Sequence, residues 1–424
     1  MTTISSAQFA ALRDGIHATS FTPQPEGFRR VGAEVEFLVI DEATRLPLPV
    51  DSPTGSVERL RRYMSRVGWT EFRGYDGAPR FDVAGTATIS FEPGGQLEIS
   101  TLPSQTPSEL IRTLRRIVVP LRTALGDQGI ALLPVGIDPL NDVARVPLQL
   151  HVERYERMTS YFEHIGPFGV RMMRQTAAIQ ISLDRGPRPA ERWRLLNDLA
   201  PYLIAMFANS PHYLGRETGD RSYRARCWRM LDPTRTGVSA VSNDPATSYT
   251  TFALAAHDMF ATAPNGTHWP FAVSIATHPS EERWATHLTT LFPEVRPRGH
   301  FEVRSCDAID PAQYAAPLVL LTGIVYDAHA SSEASLLAAE SRALLRVAGE
   351  SGLRDPGLAR TARDLFELAL AGARRLGARY VDPQDLEIAR QFYLDYTAVE
   401  RSPADDRSLP AAPPTLSVTA RSPD

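Results

Sequence analysis

The stretch Gly32-Ala33-Glu34-Val35-Glu36-Phe37 alternates acid with hydrocarbon, and on a β-strand residues two apart share a face. In a strand from about Arg30 to Ile40, Glu34 and Glu36 therefore stand on one side. Val35, Phe37 and Val39 stand on the other, which is the side to bury. The same parity returns further along the chain. From Thr86 to Thr101 two alternations flank Pro93-Gly94-Gly95, the pattern of a β-hairpin: Ser90 and Glu92 alternate with Ile89 and Phe91, and Gln96, Glu98 and Ser100 with Leu97 and Ile99. Thr176, Gln180 and Ser182 oppose Ile179, Ile181 and Leu183, and Glu302 and Arg304 oppose Phe301 and Val303.

Strands scattered along the chain thus share one apolar face and one face of glutamates, amides, hydroxyls and an arginine. A solvated face of a half-covered antiparallel sheet gives this pattern, and so does a site. Five glutamates with little neutralising charge are unusual for a wet face, because two carboxylates about 4 Å apart repel by on the order of 4 kcal/mol at an effective dielectric of ~20. Such a cluster calls for cations. Oxygen ligands without histidine or cysteine at ligand spacing suit Mg²⁺ or Mn²⁺, which keep coordination positions for water and phosphate.

The rest of the sequence narrows the chemistry. None of the 45 basic residues is a lysine. That removes a Walker A loop, a pyridoxal Schiff base and any lysine nucleophile. If ATP binds, arginines and divalent cations must neutralise its phosphates. Arginines gather in Ser222-Tyr223-Arg224-Ala225-Arg226-Cys227-Trp228 and in Asp232-Pro233-Thr234-Arg235-Thr236-Gly237, each singly readable as a surface charge. A net charge of -4 gives no electrostatic reason for nucleic acid or a membrane surface as partner. The first twenty residues lack an apolar h-region, so a cytoplasmic location is expected. The two cysteines, Cys227 and Cys306, read as packed thiols.

Helical spacing is expected over residues 5–16, 57–67, 107–125, 155–165, 189–208, 313–347, 358–376 and 383–397, with further strands near 129–136 and 299–304. The span from Gly215 to Pro279 is turn-rich and aperiodic, as loops over a site often are. One domain over 1–401 with a helical C-terminal portion is expected, followed by a disordered tail over 402–424.

These segments resemble the glutamate-cysteine ligases, in particular the plant-type and actinobacterial ergothioneine-pathway branches, from about Arg30 to Pro403. The resemblance is carried by the Gly32–Phe37 stretch, by Phe91-Glu92-Pro93-Gly94-Gly95-Gln96-Leu97-Glu98-Ile99-Ser100, and by His287-Leu288-Thr289-Thr290-Leu291-Phe292-Pro293-Glu294-Val295-Arg296 leading to Glu302-Val303-Arg304. It implies an α+β fold like that of glutamine synthetase's catalytic half, a curved, mostly antiparallel sheet backed by helices on one face and holding two or three Mg²⁺ ions. The implied activity is ATP-dependent formation of γ-glutamylcysteine from L-glutamate and L-cysteine through γ-glutamyl phosphate, in glutathione or ergothioneine synthesis. On the matching positions, Glu34, Glu36, Glu92, Glu98 and Glu302 would be metal ligands. Arg304, with Glu302, would serve the phosphoryl transfer. Arg235, Gln180 and Thr176 would contact substrate, and Arg224 and Ser222 the nucleotide. Gln175-Thr176 departs from the Arg-Thr usual in plant-type members, and the Val295–His300 run looks more like the actinobacterial branch. The rival readings are a γ-glutamyl ligase with another amine acceptor, a Mg-dependent hydrolase that activates water, and a catalytically silent binding module.

Overall fold

A computed structural model of the chain describes residues 4–237, 244–262 and 266–408. Its centre is a nine-stranded sheet made of β1 (Val31–Asp41), β2 (Thr70–Arg73), β3 (Pro79–Val83), β4 (Ala87–Phe91), β5 (Leu97–Thr101), β6 (Ile130–Leu133), β7 (Ala178–Leu183), β8 (Val295–Pro297) and β9 (Phe301–Asp307). The order is β8-β9-β7-β1-β5-β4-β3-β2, with β6 pairing the second half of β1, and every pairing is antiparallel. The long central β1 is thus shared by three neighbours. Two small two-stranded sheets, His212–Tyr213 with Arg216–Glu217 and His257–Thr262 with His268–Pro270, stand apart from it.

The hydrocarbon parity of the strands behaves as the alternation requires. Val35, Phe37, Ile89, Leu97, Ile99, Ile181 and Phe301 are almost wholly buried, each worth roughly 1.5–3 kcal/mol of transfer free energy. Their cover is the helices Pro107–Gly126, Pro189–Met206 and Ala315–Tyr326, whose apolar residues join them in one cluster running from Ile16 to Phe392. The first of these starts where Thr106 caps the Glu109 N–H and Pro107 takes the first helical position. Its buried Leu110, Ile111, Leu114, Ile117, Val118 and Leu121 then recur at helical spacing. The helix Ala315–Tyr326 is buried along its whole length and crosses Pro356–Leu376 at Gly323 and Gly372, where a β-carbon on either would fall 2.3 Å from the opposing backbone carbonyl.

Two expectations are corrected. The span 215–279 holds helices at Tyr223–Leu231, Pro233–Thr236, Pro245–Ala255 and Phe271–Thr277 besides its strand pair; most are too short to show periodicity. The expected tail does not begin at 402. Ala404 bonds to the Ala208 carbonyl, Asp405 pairs with Arg221 at 2.8 Å, and Arg407 donates to Asn209 Oδ1 at 2.7 Å, which docks 402–408 on the body. Residues 409–424 lie outside the described residues. Among the described residues no helix is long and apolar enough to cross a membrane.

Candidate active site

The polar face of the sheet is not an open solvent face but the floor of a cleft. The helices Glu153–Ile165, Pro167–Gln175 and Tyr223–Leu231 frame a cleft of about 940 Å³ above it. Glu36 is 8% exposed, Gln180 5% and Glu302 1%, which rules out the solvated-face reading. Strand register brings the glutamates together. Glu36 lies opposite Glu98 across β1 and β5, Ser90 opposite Glu98 across β4 and β5, and Glu34 between Ser100 and Gln180. Glu92 follows β4 at the hairpin turn, where the Gly95 N–H donates to its carbonyl.

That hairpin is pinned from below. Gln96 accepts from the Gly94 N–H and donates to the Met173 and Thr176 carbonyls at 3.3 and 2.9 Å. A β-carbon on Gly94 would sit 1.9 Å from the Arg174 carbonyl oxygen, so only glycine lets the turn approach the helix so closely. Gln96 is therefore a tie rather than a ligand.

Charge is distributed unevenly over the face. Burial pushes Glu34 up to about 8, with the nearby charges of Glu98 and Glu302 adding to it. Burial also lifts Glu36, Glu92 and Glu98 to about 7, reinforced by Glu98, Glu36 and Glu92 in turn. The carboxyls of Glu92 and Glu98 are within hydrogen-bonding reach of each other. Glu98 also accepts from Ser90 and Ser100 at 3.1 and 2.8 Å, and Glu36 from the Ala178 N–H and Gln180 Nε2, both at 2.8 Å. Gln180 Oε1 is buried without a partner. Four carboxyl groups and an orphaned amide oxygen converge where burial resists their ionisation.

Glu302 is different. It receives Arg296 at 2.7 and 3.1 Å, Arg304 at 2.7 Å and Arg298 at 3.3 Å. Burial would raise its carboxyl, but Arg296 and Arg304 outweigh that and hold it well below the usual carboxylate range. In this structure Glu302 anchors three guanidinium groups at the edge of the cluster. Among the described residues no three His, Cys, Asp or Glu side chains sit as a ready-made metal group.

Arg304 and Arg224 reach the cleft side by side. Arg224 donates to the Arg304 carbonyl at 2.8 Å, and the two guanidinium carbons lie 5.3 and 4.8 Å from the Trp228 ring centroid. The Nε atoms of both are buried and unpaired. Thr176 lines the cleft as well, its hydroxyl donating to the Met172 carbonyl. Two expected residues stay out. Ser222 is 1% exposed, caps the Ala225 N–H and donates to Asp307 at 2.9 Å, so it closes a helix end. Arg235 is wholly buried, bonded to Asp232 at 3.0 Å, to Thr290 at 2.9 Å and to the His257 carbonyl. Its guanidinium has no face left for a substrate.

Arg296 and Arg298 are residues that the strand patterns missed. Arg296 lies directly opposite Glu302 across β8 and β9, and the alternation Arg296-Pro297-Arg298 ahead of Gly299 was the available signal of a second hairpin. Asp307 was missed too; it accepts from Ser210, Ser222 and the Asn209 N–H and lies 3.8 Å from Arg224.

An antiparallel sheet with its apolar face under helices and a buried acidic and arginine-bearing face is the architecture of the glutamine synthetase-like ligases. The fold agrees with solved members: a glutamate-cysteine ligase from Francisella tularensis in complex with AMP (TM-score 0.54, 12% identity, 91% of this chain and 85% of that one) and a bifunctional glutathione synthetase from Pasteurella multocida (TM-score 0.50, 15% identity, 95% of this chain and 50% of that one). The chain belongs to glutamate-cysteine ligase family 2 (GCS2), whose model matches residues 30–386. It is 33% identical over 423 residues to the glutamate-cysteine ligase EgtA of Mycolicibacterium smegmatis, covering 95% of this chain and 91% of that protein. To the chloroplastic glutamate-cysteine ligase of Arabidopsis thaliana it is 28% identical, over 82% of this chain and 71% of that protein.

Proposed function

We propose that this chain joins the γ-carboxylate of L-glutamate to the amine of L-cysteine at the cost of ATP, with γ-glutamyl phosphate as intermediate and ADP as product. The observation that carries the reading is the cleft-lining cluster of Glu34, Glu36, Glu92 and Glu98 beside Arg304, Arg296 and Arg224. Its oxygen-only donor set, its resistance to ionisation and the unpartnered Gln180 Oε1 fit hard divalent cations. Those four glutamates would hold Mg²⁺, or Mn²⁺, and bound cations would neutralise phosphate charge and orient the nucleotide.

The residues themselves supply the rest. A carboxylate attacked directly by an amine would have to expel oxide, so it must first receive a leaving group. Phosphoryl transfer asks mainly for in-line positioning and stabilisation of spread negative charge. Glu302 holds Arg296 and Arg304 in fixed orientation for that charge, and Trp228 backs Arg304 and Arg224 from beneath. No side-chain nucleophile is needed, in keeping with the buried Cys227 and Cys306, whose thiols burial pushes upward.

The test is to incubate purified protein with Mg-ATP, L-glutamate and single amino acids, following ADP and dipeptide. ADP formation that needs both glutamate and cysteine is expected. Turnover without ATP would replace the ligase with a hydrolase, and a clear preference for another amine would change the acceptor.

A further inference from the structure

Beyond Glu98, on the side away from Arg296 and Arg304, the cleft continues into a side pocket of about 260 Å³, the volume of roughly nine liquid waters at ~30 Å³ each. It is lined by the hydroxyls of Thr88, Ser90 and Ser100 and by Tyr155 and Leu150. At its rim stands an ion pair, Arg80 Nη2 to Asp76 Oδ2 at 2.7 Å, with both side chains about a quarter exposed (25% and 22%). Asp76 shapes the β2–β3 turn by accepting from the Ala78 N–H. Gly74 makes room for the arginine: a β-carbon there would lie 1.9 Å from Arg80 Nη1. Arg80 also lies 5.8 Å from the ring centroid of Tyr75, a fully exposed aromatic at the cleft mouth. Among the described residues Asp76 is the one hydrogen-bond partner of the Arg80 side chain, which leaves the other guanidinium donors for a guest.

The charges select that guest. A plain anion would meet Asp76 and a plain cation would meet Arg80. A zwitterion satisfies both. An amide-forming step also brings two reactants to one carbon from different directions. In the proposed reaction the phosphoryl group lies by the arginines of β8 and β9, whereas this pocket opens over β3, β4 and β5 across the sheet. The geometry points to this side pocket as the subsite for the acceptor amino acid, with Arg80 receiving its α-carboxylate so that its amino group faces inward past Glu92 and Glu98. The inference rests on the ligase reading above and adds where the acceptor sits and which residue selects amino acids over simple amines.

The experiment crosses the protein with the ligand. Wild type, Arg80→Gln and Arg80→Lys are assayed with L-cysteine and with cysteamine, which lacks the carboxylate, while KM for glutamate and ATP and the Tm are followed. Wild type is expected to prefer cysteine over cysteamine by at least tenfold in kcat/KM. Arg80→Gln should raise KM for cysteine tenfold or more, leave cysteamine, glutamate and ATP unchanged, and so erase the preference; Arg80→Lys should recover part of it. A rise in KM for glutamate instead would assign the pocket to the donor and overturn the proposal, as would an unchanged preference. Wild type that makes no ADP with glutamate and cysteine would defeat the ligase reading on its own. Calorimetric titration of the same two amines would then decide the subsite: a wild-type preference for cysteine lost in Arg80→Gln upholds it, and equal binding overturns it.

Discussion

Replacing Glu34 by glutamine separates stability from function, because the same carboxyl is unfavourable to the metal-free fold and needed by the proposed reaction. Burial, with Glu98 and Glu302 adding to it, moves this group from an ordinary 4.5 up to about 8. The folded state therefore holds a proton that the unfolded chain has released throughout the interval between those values. The contribution of this group to stability is full below about 4.5 and is lost as the pH rises towards 8. At 1.36 kcal/mol per unit the Glu34→Gln difference should move by on the order of 4–5 kcal/mol between the two pH values; less the cost of burying the replacing amide, the variant should gain on the order of 3 kcal/mol in the metal-free protein at pH 8.5 and lose about 1–2 kcal/mol at pH 4.5. For a chain of this length that corresponds to a few degrees in Tm. Differential scanning calorimetry in EDTA at both pH values measures it, with Mg²⁺-ATP turnover recorded on the same samples. The variant should be more stable than wild type at pH 8.5 and inactive. A Tm difference independent of pH, or lower stability at pH 8.5, would refute the electrostatic argument; near-normal turnover would refute the assignment of Glu34 to the site.

Three further outcomes are expected. Arg296→Met, which leaves Glu302 buried with two partners instead of three, should lower stability by about 2–4 kcal/mol and depress kcat more than KM for cysteine, by calorimetry and steady-state kinetics. Arg235→Lys should lower Tm by several degrees while leaving KM for glutamate unchanged in the folded fraction; an unchanged Tm with a tenfold higher KM would return Arg235 to the substrate. Truncation after Arg401 removes the Arg221–Asp405 pair and the Arg407–Asn209 bond, and should cost about 1–3 kcal/mol in urea titration.

Period-two alternation made β1, β4, β5, β7 and β9 legible, because each carries hydrocarbon on one parity and polar groups on the other, and burial enforces that parity. The same pattern left open whether the polar parity met water. The answer depends on the helices at 153–165, 167–175 and 223–231 that frame the cleft, and so on contacts distant in sequence. β2 escaped notice because all four of its residues are exposed, leaving no apolar face to alternate. The helix Tyr223–Leu231 escaped because arginines interrupt its apolar positions, although Arg224 turns inward to a carbonyl, a carboxylate and an indole. Arg235 and Ser222 show the converse: the family resemblance suggested ligands, and the packed structure uses their hydrogen bonds within the protein.

The transfer of oxygen tests the central claim most directly. L-Glutamate labelled with ¹⁸O in its γ-carboxylate is turned over with Mg-ATP and cysteine, and the released phosphate is analysed by mass spectrometry. The account predicts one ¹⁸O atom in each phosphate, carried there when the amine displaces phosphate from γ-glutamyl phosphate. Phosphate without label, formed alongside γ-glutamylcysteine, would contradict it.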